Sequence, residues 1–235
     1  MNLLLFTARD RRDDGLLRIT DHRLDHLLNV HGAQVGDSVR VGEINGQVGT
    51  ANILALSDNA ALLSDTLTEA PPEKLPVSVI LALPRPKMLR RILRAVAEFG
   101  VPELHLINSY RVEKSYWQTP VLEAETIHRY LLQGLEQSRD TVLPQVYCHR
   151  RFKPFVEDLL PGMIHDRRTL LAHPGDWPPC PSRVHEKTTV IIGPEGGFIP
   201  YEVELLQGVA CETVSLGQRI LRVENALPFL LAKLF

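Results

Sequence analysis

The chain has 235 residues, 44% of them apolar and 23% charged, enough to bury one sizeable core or two small ones. Its 26 basic and 28 acidic residues leave a net charge of −2, which excludes bulk-charge coating of polyanions and a largely disordered chain. No apolar run approaches the ~20 residues of a membrane span. The start lacks the basic region and cleavage site of a signal peptide. Cys148, Cys180 and Cys211 form neither a CxxC pair nor a disulfide framework. The expectation is a soluble, cytoplasmic protein with reduced thiols.

Residues 1–70 carry 6 Lys/Arg and 10 Asp/Glu, a net −4, against +2 for the remainder. They read as β-rich. Asp21 to Val30 has Leu24, Leu27 and Leu28 on one face of a short helix. Val39–Ile44 and Gln47–Leu54 are strand-like, with Asn45-Gly46 between them as a two-residue hairpin turn, since both residue types accept φ > 0. A small barrel or sandwich is the natural sum. Residues 71–76 fall in the proline-rich run Glu69-Ala-Pro-Pro-Glu-Lys-Leu-Pro76, a semi-rigid linker.

From residue 77 the pattern alternates strand and helix. Val77–Leu83 is a continuous apolar run, as a buried parallel strand requires. Pro84 and Pro86 end it, and Met88–Phe99 follows as a helix with Leu89, Ile92, Leu93, Val96 and Ala97 on one side. Leu104–Ile107 is the next strand. Leu122–Ser138 is a longer helix with Ile127, Leu131 and Leu135 in register. Thr169–Ala172, Thr188–Ile192 and Thr213–Leu216 are further short strands, and Tyr201–Leu206 is helical. The last helix reads from Asn225 as its N-cap, with Pro228 in its first turn. The rhythm predicts an α/β layer fold.

Four segments could carry chemistry. Ile192-Gly-Pro-Glu-Gly-Gly-Phe198 follows a β-branched strand and precedes a helix. Its glycines let backbone amides approach a ligand closely, although a tight βα turn without ligand explains the composition equally well. The P-loop ending Gly-Lys-Ser/Thr is missing, so a nucleotide-binding loop is the weaker reading. Leu216-Gly-Gln-Arg-Ile-Leu-Arg-Val-Glu-Asn-Ala226 places Arg219, Arg222 and Glu224 ahead of an apolar helix. They read as a site or as an Arg–Glu pair tying that helix down. Leu170-Leu-Ala-His-Pro-Gly175 is a third strand running into a small-residue loop. In open α/β sheets, ligands bind beyond the carboxyl ends of strands. Lastly, Arg85-Pro-Lys-Met-Leu-Arg-Arg-Ile-Leu-Arg94 has five basic residues in ten and no acid. It reads as a compact phosphate-binding face, against the plainer reading of a solvated helix face. His22 and His26 are spaced i, i+4 but lack further ligands, so no metal is expected.

In this order the segments resemble the bacterial small-subunit (16S) ribosomal RNA uridine-N3 methyltransferases, within the SPOUT class of S-adenosylmethionine-dependent enzymes. Gly193-Pro-Glu-Gly-Gly197 and Leu216-Gly-x-Arg-Ile-Leu-Arg-x-Glu-x-Ala226 resemble the family's two signature blocks. Asn108-Ser-Tyr-Arg111 and Glu136-Gln-Ser-Arg139 sit where it has related blocks. The resemblance implies a PUA-like RNA-binding barrel over 1–70 and a SPOUT domain over 77–235. It also implies a trefoil knot and the cofactor site within about 168–235, and a homodimer. It implies that S-adenosylmethionine is held by three loops: Leu171, Ala172, His173 and Pro174; Ile192, Gly193, Pro194, Glu195, Gly196 and Gly197; and Leu216, Gly217, Ile220, Leu221, Arg222, Glu224, Asn225 and Ala226. Arg222 or Arg219 would offset negative charge on the uracil carbonyls, and Glu224 would anchor an arginine or take the N3 proton. Glu195 would organise its loop or touch the cofactor. Ribosomal RNA would meet Arg85, Lys87, Arg90, Arg91, Arg94, Arg111 and Arg139. The family usually has Thr at the position of Asn225, and often a Lys-Ser-Xaa-Glu pattern where this chain reads Arg94-Ala-Val-Ala-Glu98. These departures keep two alternatives open: another RNA uridine as target, or a non-catalytic RNA-binding or assembly factor that retains the fold.

Overall fold

The computed structural model describes residues 2–235. It divides into two units, one comprising residues up to Glu73 together with Leu132–Leu143, the other Lys74–Leu131 with Pro144–Phe235. Residues 132–143 thus belong with the first unit, which a division at 70 drawn from composition leaves out.

The first unit is a curled five-stranded sheet in the order β1-β3-β4-β5-β2. Its strands are β1 (Leu4–Phe6), β2 (Leu17–Ile19), β3 (Ser38–Glu43), β4 (Val48–Ser57) and β5 (Ala60–Glu69). β1 and β3 are parallel and the other pairs antiparallel. Leu4, Phe6, Leu17, Ile19, Val41, Ile53 and Leu63 form its core, closed by Leu24 and Leu27 of α1 (His22–Asn29). The Asp21 carboxylate accepts the Arg23 N–H at 3.0 Å and caps α1. β5 gives no clear signal in the sequence, because Ala60–Glu69 mixes small, polar and apolar residues without a sustained alternation.

The Asn45-Gly46 turn differs from expectation. Asn45 takes φ +60°, but Gly46 stays outside the left-handed region. The Gly46 N–H donates to the Glu43 carbonyl at 2.8 Å, so Ile44 and Asn45 are the corner residues. A single left-handed corner suffices, and Asn tolerates it through its short polar side chain.

The second unit holds a six-stranded parallel sheet, ordered β11-β9-β10-β6-β7-β8. The strands are β6 (Val77–Ala82), β7 (Glu103–Ile107), β8 (Gln145–His149), β9 (Arg168–Ala172), β10 (Thr188–Ile192) and β11 (Glu212–Val214). Every residue of β6 and β10 is buried, which explains their predominantly apolar and β-branched character; the one exception, Ser78, donates its hydroxyl to Glu103 at 2.6 Å. β8 is hard to recognise in the sequence because only one of its five residues, Val146, is aliphatic. It forms the edge of the sheet, where its side chains are exposed or half-buried.

α2 (Pro86–Glu98) starts two residues before the expected Met88, with Pro86 in its first turn, where a missing N–H costs nothing. It buries Leu89, Ile92, Leu93, Val96 and Ala97, the four larger ones contributing about 1.5–3 kcal/mol each. α3 (Ala124–Ser138) follows. Residues 152–164 coil irregularly through α4 (Phe152–Pro154), a wider turn over Phe155–Leu159 and α5 (Leu160–Ile164). α6 (Pro200–Gly208) and α7 (Val223–Leu234) complete the chain. Asn225 is not the N-cap of α7. Arg222 holds that position, and its carbonyl accepts the N–H groups of Asn225 and Ala226. Pro228 consequently lies inside the helix. The buried stripe of Leu227, Leu230, Leu231 and Leu234 holds α7 despite the proline.

Candidate functional site

A cavity of about 440 Å3 opens beyond the carboxyl ends of β9 and β10 and past the end of β11. The three small-residue loops meet there. The first contributes Ala172, His173, Pro174 and Gly175; the second Ile192, Gly193, Pro194, Glu195 and Gly197. The third contributes Leu216, Gly217, Gln218, Arg219, Ile220 and Leu221, followed by Val223 and Ala226 of α7. The chemistry of this lining is aliphatic and small, with few side-chain charges and several glycine peptides. Gly197 sits at φ +73° and Gly217 at φ +113°, conformations that a β-carbon would strain; their N–H groups close the loops onto the Pro194 carbonyl at 2.8 Å and the Ser215 hydroxyl at 3.2 Å.

The second loop is braced from outside. One Glu195 carboxylate oxygen accepts the Arg85 N–H at 3.3 Å, tying the loop to the start of α2. The Arg111 guanidinium donates to the Gly196 carbonyl. Glu202 is 3% exposed, and its carboxylate accepts the Ile199 N–H at 3.0 Å and the Tyr110 N–H at 2.7 Å. Sequence reasoning missed Glu202. The available signal was its position, three residues past Ile199 at the start of a helix, where a carboxylate reaches back to the entering backbone.

Among the expected cofactor residues, thirteen positions from Ala172 to Ala226 line the cavity, whereas Leu171, Gly196, Arg222, Glu224 and Asn225 do not. Leu171 is fully buried in β9, and Gly196 faces Arg111. Arg219 and Arg222 are exposed and Glu224 is half-buried. Gly175, Gln218 and Val223 line the cavity in addition to the expected residues. The His173 imidazole is held below its usual pKa by burial and then by the charge of Arg111, so it is neutral at pH 7.

The basic residues separate into two groups. Arg85, Lys87, Arg90 and Arg91 are exposed along α2 and its entry. Arg94 is half-buried with its guanidinium 4.9 Å from the centre of the Tyr130 ring, and Arg111 is engaged with Gly196. Arg139, at φ +60°, follows the end of α3 and belongs to the other unit. The three cysteines are free. Among the described residues no group of three His, Cys, Asp or Glu could hold a metal, and no helix is long and apolar enough to cross a membrane.

Known proteins share this architecture. The chain is similar to ribosomal RNA small subunit methyltransferase E of Treponema pallidum (strain Nichols), 28% identical over 96% of this chain and 87% of that protein. It is also similar to the protein of the same name from Synechocystis sp., 26% identical over 98% and 76% of the two chains. Two solved structures have the same fold. A Legionella pneumophila methyltransferase in complex with S-adenosylmethionine matches with TM-score 0.78 and 21% identity, covering 98% of this chain and 95% of that one. Ribosomal RNA small subunit methyltransferase E from Neisseria gonorrhoeae, bound to S-adenosylmethionine, matches with TM-score 0.75 and 19% identity over 98% and 94%. The family model described as RNA methyltransferase domain matches residues 71–234, a span that takes in the parallel sheet and all three cavity loops, and the chain belongs to that family.

Proposed function

We propose that this chain methylates N3 of a uridine in small-subunit (16S) ribosomal RNA with S-adenosylmethionine as donor. The observation that carries the reading is the meeting of three glycine-bearing loops around one cavity at the strand ends. Its volume lies within the roughly 300–1,000 Å3 of small-molecule sites. Its aliphatic walls suit a nucleoside ring, and its glycine peptides suit the polar edges. Ile192, Gly193, Leu216, Gly217, Leu221 and Ala226 would hold the cofactor. Bound there, S-adenosylmethionine supplies an electrophilic methyl group.

The chain's own residues have the remaining tasks. Uridine N3 carries a proton at neutral pH and is a poor nucleophile while it does. Arg222 and Arg219, exposed on the third loop, would offset the charge that spreads over the uracil carbonyls as that proton leaves. Glu224, half-buried in the first turn of α7, would orient an arginine or accept the proton through water. Glu195, bonded to Arg85, keeps the glycine loop in place. Lys87, Arg90 and Arg91 would bind phosphates, and the curled sheet of the first unit would act as a PUA-like RNA-binding domain. The reading includes the trefoil knot of the SPOUT class and a homodimer. In line with a dimer, Tyr201 on α6, Ile220 on the third loop and Phe229 on α7 are 47–81% exposed, large apolar side chains that a second copy would cover. The compartment would be the cytoplasm, where ribosomal subunits assemble.

Purified small ribosomal subunits lacking the modification, incubated with the protein and labelled S-adenosylmethionine, should gain label at one uridine by mass mapping. Arg222→Ala should lower turnover by about 100- to 1,000-fold, the cost of removing one charge-stabilising donor, while keeping cofactor affinity by calorimetry. A fully active variant removes Arg222 from this role. Label at a different RNA moves the target, and absence of cofactor binding favours the non-catalytic alternative.

A further inference from the structure

Tyr110 is 79% exposed, although its backbone is fixed on every side. Its N–H donates to Glu202 at 2.7 Å. Just before it, the Asn108 N–H donates to the His149 carbonyl at 3.0 Å, and the Asn108 side-chain oxygen accepts from the Trp117 indole at 2.9 Å. Ser109 is buried. Just after it, Arg111 donates to the Gly196 carbonyl, and the Val112 N–H closes the turn onto the Ser109 carbonyl at 3.1 Å. An isolated surface tyrosine would need no explanation. Here a buried carboxylate, costly to desolvate, holds the peptide of an exposed aromatic ring. The loop is also bonded to Gly196, which lies between two residues that line the cavity, Glu195 and Gly197.

A ring carried on a fixed peptide loses little backbone freedom on binding, and its face accepts any base. Two arginines belong to its surroundings, Arg111 next in sequence and Arg85, whose N–H is tied to the same glycine loop through Glu195. That combination favours a nucleic-acid strand over an apolar protein partner. We propose that Tyr110 is a stacking platform for an unstacked base of the RNA beside the methylated nucleotide. Glu202 is its positioning residue, acting through the Tyr110 peptide. The inference rests on the proposed RNA substrate and deepens it by naming how the strand is held open at the site.

The test uses the full-length protein, a fluorescently labelled oligouridine for binding, and calorimetry with S-adenosylmethionine for the cofactor site. Tyr110→Ala should weaken oligouridine binding by about 5- to 100-fold, the range for losing one base–aromatic stack. It should raise KM for RNA more than it lowers kcat and leave cofactor affinity unchanged. Tyr110→Phe, which keeps the ring, should recover most of that loss. Glu202→Gln should also weaken oligouridine binding, but add little in a Tyr110→Ala background, because both act on the same ring. Unchanged oligouridine binding by Tyr110→Ala overturns the proposal. So does full additivity of the two substitutions, or a Tyr110→Ala loss that light scattering traces to a changed oligomeric state. Failure of the wider functional reading looks different: the unaltered protein then binds no S-adenosylmethionine.

Discussion

His105 gives a prediction whose size follows from its surroundings. It lies in β7 and is 7% exposed. Its ring stacks on Tyr147 of the neighbouring strand, centroids 4.7 Å apart. Its Nδ1 is 3.2 Å from Nε2 of His149. Burial, and next the proximity of His149, push its pKa down to about 4, against a weaker opposing pull from Glu103. His149 is itself held below its usual value by burial. The unfolded chain takes up a proton near pH 6.5 and the folded chain does so only near pH 4. Stability contributed by the neutral imidazole is therefore full above about pH 6.5 and is lost as pH falls toward about 4. Between about pH 7.5 and about pH 5 the linked loss is about 2 kcal/mol. Urea unfolding followed by tryptophan fluorescence reads the right unit, since Trp117 and Trp177 both lie in the unit that contains His105. His105→Gln should unfold with a pH dependence shallower by about 2 kcal/mol over the same range, the difference belonging to the His105–His149 pair. Wild-type and variant curves that run parallel across this range would refute the reasoning.

Two further outcomes concern the site. Gly197→Ala places a β-carbon at φ +73°, where an L-residue costs about 1–2 kcal/mol. The strain falls on the cavity loop, so S-adenosylmethionine should bind about 5- to 30-fold more weakly by calorimetry. Unchanged affinity would mean the loop is not part of the cofactor site. Arg90→Glu with Arg91→Glu should weaken RNA binding and flatten its dependence on salt, by about 0.7–0.9 in log–log slope for each phosphate that the protein no longer neutralises. An unaltered slope would take this face of α2 out of the RNA interface.

Periodicity and turn chemistry alone determined much of this molecule. The fully buried β6 and β10, dominated by aliphatic and β-branched residues, the stripe of α2 and the alternation of strand with helix follow from burial on both faces of a parallel sheet and on one face of a helix. The small-residue loops are legible because glycine and proline mark the places where backbone must bend sharply or come close to a partner. β5 and β8 are not, because their residues are selected by neighbours across the sheet, which no local window contains. The start of α7 differs from expectation for a similar reason. Asn225 is a good cap in isolation, but the packing of Val223 and Ala226 draws the helix start three residues earlier, to Arg222 as cap. The resemblance implied that three loops hold one cofactor; the tertiary structure alone gives the cavity its lining, by placing β9 between β11 and β10. It alone joined Glu202 to Tyr110, 92 residues apart. A hydrogen bond of that span leaves no periodic trace in sequence, because its energy depends on where the sheet brings two backbones together.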